Sequence, residues 1–153
     1  MEKFMKIAFE EAKRGIESGD GGPFGAVVVK SGKIVATGHN MVVKSNDPTA
    51  HAEIVAIRKA AKELGSFHLE GCELYVTAEP CPMCFAAIHW AHLKRVVYCN
   101  TKEDASAIGF DDSMIYEIML SKREDPICFE HTPSAECREL FREWYENPDR
   151  IVY

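Results

Sequence analysis

Three metal-binding side chains and one carboxylate carry the chemistry this sequence could do. His51 and Glu53 stand in Thr49-Ala50-His51-Ala52-Glu53; Cys81 and Cys84 stand in Glu79-Pro80-Cys81-Pro82-Met83-Cys84. One imidazole and two thiolates are good zinc ligands, and a site with three protein ligands keeps a fourth corner for water, whereas structural sites are closed by four. Zinc acidifies such a water from a pKa of about 15.7 in bulk toward roughly 7–9. Glu53 is close enough in sequence to His51 to move protons to and from it. The chemistry would be hydrolysis.

The spacing constrains the local structure. Cys81 and Cys84, at i and i+3, share one face of a first helical turn. A helix N-terminus favours thiolates through its partial positive charge. His51 and Glu53, at i and i+2, would diverge on a regular helix, so His51 is expected in an extended lead-in to its helix. Other readings of the pattern exist. A C-x-x-C pair also serves as a structural half-site or a redox pair, and His39, His68, His89, His92 and His131 are available as a fourth ligand. A non-catalytic zinc module would have no use for Glu53. Cys72, Cys99, Cys128 and Cys137 lie in or beside apolar runs and are expected as small core residues, as are Met83 and Phe85. Trp90 fits either the core or a pocket wall.

Elements to position these groups are legible in the patterning. Phe4, Ile7, Ala8, Ala12 and Ile16 predict an amphipathic helix over about 2–18. Residues 25–30 and 33–39 read as a hairpin about Ser31-Gly32, and 40–48 as a loop. A helix over 50–64 stops at Gly65, and a buried strand follows over 73–78. A short helix begins near Cys81 and runs to about His92, before a strand over 95–99. Further on come a turn into a short helix capped by Asp112 or Ser113, a fifth strand over 126–130, and a helix over 134–145 with Leu140 and Trp144 on one face. The order predicts an α/β fold, a mixed sheet between helical layers, with parallel pairing across each crossover.

The whole chain, 1–153, reads as one domain with ordinary globular composition, 46% hydrophobic and 27% charged. The net charge of −6 is a poor match for a phosphate backbone and disfavours nucleic acid as partner. The tail strengthens this, with seven acidic residues from Asp125 to Asp149 against Arg138, Arg142 and Arg150. No window resembles an export signal or a membrane span, so a cytoplasmic protein with reduced cysteines is expected.

With these residues in view, the H-x-E and P-C-x-x-C pair resembles the zinc-dependent nucleobase deaminases. Gly22-Pro23-Phe24-Gly25-Ala26, Asn40 and Asn46 to Glu53 extend that resemblance to the cytidine-deaminase-like superfamily over roughly residues 1–100. Transfer-RNA adenosine deaminases share much of it, so these motifs bear on the chemistry and not on the substrate. Ala87-Ile88-His89-Trp90-Ala91, the run from Gly109 to Tyr116 and the closing Tyr153 resemble the small bacterial guanine deaminases. That narrower resemblance implies a three-layer α-β-α sandwich with a five-stranded mixed sheet. It also implies one zinc ion per chain with a bound water, and a homodimer that exchanges its C-terminal segments (125–153). Phe24, Asn40, Ala52 and Trp90 would bind the purine. Glu53 would act as acid and base, with Asp112 assisting proton transfer, and Tyr153 would close the pocket from the partner. Adenosine in transfer RNA, or cytosine, is the alternative substrate under the same chemistry.

Overall fold

The computed structural model describes residues 3–152. Helix α1 (Lys3–Glu17) buries Met5, Ala8, Glu11, Ala12 and Gly15, one face at helical spacing. Ile16, expected on that stripe, is exposed; the buried face ends at Gly15, where α1 lies tight against the ring of His39. Strands β1 (Gly25–Lys30) and β2 (Lys33–His39) form the expected hairpin. Its turn residues Ser31 and Gly32 both take positive φ, the requirement of a tight two-residue connection.

The stretch read as a loop contains a one-turn helix, α2 (Val42–Ser45). Its first N–H groups are satisfied from outside the segment, by the Asp20 carbonyl and the Asn40 side chain, so local polarity did not reveal it. Then follow α3 (Ala52–Leu64), β3 (Cys72–Ala78), α4 (Pro82–Trp90) and β4 (Arg95–Asn100). Helix α5 (Lys102–Ala107) was not anticipated, although Thr101 and Asp104 form a capping box whose spacing is visible in the sequence. Helices α6 (Ser113–Met119) and α7 (Ala135–Glu146) complete the order.

The sheet runs β2-β1-β3-β4 and has four strands among the described residues, not five. Residues 126–130 form no strand, because a strand exists only by pairing and this segment meets no ladder partner. β1 is antiparallel to both neighbours and β3 is parallel to β4. The expected parallel pairing therefore holds across α4 but not across α3, since β1 lies between β2 and β3.

Alternation along β1 divides the core into two layers. Ala26 and Val28 pack with Leu74, Val76 and the inner faces of α3 and α4. Val27 and Val29 point the other way, with Tyr75, onto Met5 and Ala8 of α1. Cys72 is fully buried, as expected, but Cys99, Cys128 and Cys137 are exposed: β4 is an edge strand, and α7 buries no residue against the rest of the chain.

This topology delivers the site. The start of β1 and the ends of β2, β3 and β4 all lie on one edge of the sheet, where open α/β sheets bind ligands. Helix α3 is drawn onto β2 at Gly38, where an added Cβ would stand 2.8 Å from the Ala52 carbonyl oxygen and from the Ala56 nitrogen. Since both neighbours are backbone, Gly38→Ala is expected to cost about 1–3 kcal/mol through forced displacement of α3. Urea unfolding with an unchanged midpoint would show that the helix yields freely.

Candidate active site

His51 is the residue before α3, with extended backbone (φ −67, ψ 157), as its pairing with Glu53 demanded. Asp47 shapes the approach: its carboxylate accepts from Thr49 N at 2.8 Å and Thr49 Oγ1 at 2.7 Å. Those bonds hold the Asp47 carboxyl below its ordinary value. Cys81 occupies the same position before α4 (φ −65, ψ 168), and Pro82 opens that helix without forfeiting a hydrogen bond. Two helix N-termini thus meet at the sheet edge.

Their side chains converge. His51 Nδ1 lies 3.5 Å from Cys81 Sγ and 3.6 Å from Cys84 Sγ, and all three donor atoms fall within 4.8 Å of one another. Zinc at about 2.3 Å from sulfur and 2.0–2.1 Å from nitrogen would set tetrahedral nitrogen–sulfur separations of about 3.5 Å. The donors fit the ion. Among the described residues no other histidine, cysteine or carboxylate joins the group, so His39, His68, His89, His92 and His131 are not fourth ligands here.

Mutual contact and burial shift the two thiols in opposite directions. The Cys81 thiol is held down to about 4, chiefly by a hydrogen bond from Cys84, with His51 adding to it. Cys84 is pushed up by that same bond and by burial. The Cys81 contact also raises His51. Glu53, 6% exposed, is pushed up to about 7, first by burial and then by the Cys81 charge. Its carboxyl and the Cys84 side chain are hydrogen-bond partners. It is aimed at the donors, not at solvent.

A cavity of about 620 Å³ opens over this group, within the size range of small-molecule sites. His51, Glu53 and Cys81 form its floor, with Phe24, Asn40 and Asp112 in its walls. Asn40 is buried, and its Oδ1 accepts from Val42 N at 3.1 Å, which fixes the orientation of the amide. Phe24 meets Phe110 edge-to-face, 4.8 Å between centroids. Asp112 precedes α6 but makes no capping hydrogen bond; Asp111 bonds Ser113 N instead, at 3.0 Å. Burial, with the Cys81 charge behind it, raises the Asp112 carboxyl.

Other expected residues lie elsewhere. Trp90 is 66% exposed and does not line this chain's cavity. It sits at the far end of α4, about 9 Å along the axis from Cys84 at 1.5 Å per residue. Ala52 is fully buried, its methyl in the core beneath α3 and not in the cavity wall. Phe85, expected in the core, is exposed, and Met83 lines the cavity. Tyr153 lies outside the described residues. Phe110, Val42, Val43 and Ile115 were not singled out as pocket residues, yet all line it. For Phe110 the signal was present, as the one aromatic beside the acidic pair Asp111-Asp112.

Comparisons with known proteins agree with this geometry. Residues 1–100 match the family described as the cytidine and deoxycytidylate deaminase zinc-binding region. The guanine deaminase of Bacillus subtilis (strain 168) is 51% identical over 153 residues, covering 99% of this chain and 98% of that one. The tRNA-specific adenosine deaminase of Aquifex aeolicus (strain VF5) is 39% identical over 145 residues, covering 95% and 93%. The X-ray structure of the Bacillus subtilis guanine deaminase superposes with a TM-score of 0.93 at 46% identity, over 100% of this chain and 99% of that chain. An extended histidine and a C-x-x-C helix start converging on one sheet edge are thus a shared inheritance: the chain belongs to the cytidine and deoxycytidylate deaminase zinc-binding family.

Proposed function

We propose that this protein hydrolytically deaminates guanine at C2, giving xanthine and ammonia. The observation that carries the chemistry is Glu53, a buried carboxyl in the floor of the cavity beside the zinc-fitting donors His51, Cys81 and Cys84. The likeness over nearly the full length to a guanine deaminase supports the choice of base. His51, Cys81 and Cys84 would hold one zinc ion per chain, which when bound supplies the Lewis acidity that makes water nucleophilic near neutral pH.

The remaining steps belong to the protein's own groups. Glu53 would accept one proton of the attacking water and deliver it to the ring nitrogen beside C2. It would then take the second from the hydroxyl formed at C2 and pass it to the departing amine as the C2–N bond breaks and the carbonyl forms. A carboxyl poised near 7 can do both in turn. Asn40 has its oxygen committed to Val42 N, so its NH₂ is the group offered to acceptors on the purine edge. Phe24, backed by Phe110, supplies an apolar face for the ring. Asp112, in the cavity wall and raised by burial, would assist proton movement at the leaving amine. Ala52, between His51 and Glu53, would contribute through its main chain.

A homodimer with exchanged C-terminal segments is part of the same reading. Ile127, Phe129, Leu140, Phe141 and Tyr145 are each more than 60% exposed, an uncovered apolar run that soluble chains usually bury against a partner. In a dimer, Trp90 and Tyr153 would complete the pocket walls. The acidic tail and the small cavity favour a free base over RNA as substrate, and a cytoplasmic setting suits reduced Cys81 and Cys84.

Four experiments check this reading. Metal analysis should find about one zinc per chain in both the native protein and Glu53→Gln, while the variant loses turnover by on the order of 10³–10⁴-fold; an active variant would remove Glu53 from the mechanism. In a substrate panel, guanine should release ammonia faster than adenine, cytosine or a transfer-RNA anticodon loop, and activity confined to the RNA would reverse the substrate. Sedimentation should give a particle of about twice the 17.2 kDa chain mass. Removing the last few residues should lower turnover more than stability; a monomer with unchanged rate would leave the tail without a role.

A further inference from the structure

Three titratable side chains are buried together without a part in the chemistry above. His39, at the end of β2, is held between two carboxylates: Nδ1 is 3.2 Å from Glu11 Oε2 and Nε2 is 2.8 Å from Asp20 Oδ2. Glu11 and Asp20 are 7% and 5% exposed. A carboxylate only accepts, so each of these contacts is one in which a ring N–H is the donor. Glu11 also accepts from Thr37 Oγ1 at 2.7 Å and from Arg14, and Asp20 accepts from Lys44 Nζ at 3.2 Å. Burial alone would push the Glu11 carboxyl up, but the bonds from Thr37, His39 and Arg14 outweigh it and hold it low. The His39 bond is the main cause of the same lowering at Asp20. The ring has its slot because position 15 is glycine, where a Cβ would stand 2.8 Å from His39 Cδ2.

The cluster reaches the pocket by a short path. The Asp20 carbonyl oxygen accepts from Val43 N at 3.1 Å and Lys44 N at 3.0 Å, so Asp20 caps the start of α2. Val42 and Val43 of that helix line the cavity. Asn40 follows His39 directly, and its Oδ1 is packed so closely on Gly21, the neighbour of Asp20, that a Cβ there would stand 2.1 Å away. One imidazole therefore backs a whole wall.

We propose that His39 is a positioning residue for the nucleobase pocket: by tying Asp20 to Glu11, it holds α2 and the Asn40 amide in place over the zinc ligands. The substrate consequence rests on the deaminase reading above; the effect on α2 does not. A cluster that merely bound α1 to the sheet would alter stability and leave the pocket wall alone.

The test compares His39→Leu, Asp20→Ala and Glu11→Gln with the native zinc-loaded protein by amide hydrogen exchange and steady-state kinetics. Losing one or two hydrogen bonds at the clamp should speed exchange at Val43 and Lys44 by about tenfold while α3 stays protected, and raise KM for guanine by about tenfold with kcat within about threefold. Glu11→Gln keeps an acceptor at the α1 end and should move KM by less than about twofold. If His39→Leu does not fold, Asp20→Ala, which removes the side-chain acceptor but keeps the α2-capping carbonyl, carries the comparison. Unchanged exchange at Val43 and Lys44, or faster exchange with unchanged KM, overturns the proposal. Native protein inert toward guanine would sink the substrate reading instead, and the exchange data would still decide whether His39 governs α2.

Discussion

Everything in this fold answers to one demand: an imidazole and two thiol sulfurs from two different helices must come within 4.8 Å of each other. Polar groups taken from water need partners where they arrive. Here the partners are one another, and their mutual contacts hold Cys81 low while raising Cys84 and His51. The demand is met by starting α3 and α4 at the same sheet edge and placing His51 and Cys81 each one residue before its helix, in extended backbone. From there the His51 and Cys81 side chains can turn inward while the helices run back over the sheet.

The same edge collects groups that the sequence scatters widely. Phe24 precedes β1, Asn40 follows β2, Glu79 follows β3 and Lys102 follows β4, and all four line one cavity. Only the antiparallel placement of β1 between β2 and β3 makes this so, because it turns the start of one strand toward the ends of the other three. The sheet order is therefore part of the chemistry and not just its support.

How much of this could be read from the residues varied with the range of the forces involved. The hairpin, α3 with its Gly65 stop and the extended His51 followed from local turn chemistry and from the geometry of two adjacent side chains. The grouping of His51, Cys81 and Cys84 was legible because few other arrangements use these residue types at this spacing. What escaped depended on distant contacts. Helix α2 forms on bonds supplied by Asp20 and Asn40. Cys99, Phe85 and Trp90 are apolar by type, but lie on edges and faces that this chain does not itself cover. The strand expected over 126–130 carried β-forming residues, yet propensity without a pairing partner builds no strand.

The contact at Gly38 has a wider consequence. Because the α3 backbone rests directly on β2, the floor of the cavity is fastened to the sheet with no side chain between them to be resized. The opposite wall (Ala105, Gly109, Phe110, Asp112 and Ile115) hangs from α5, α6 and their connection, beyond the residues that match the family. The two sides of the cavity are thus mechanically separate: a side chain exchanged after β4 reshapes that wall without moving the backbone contact that seats α3 on the sheet.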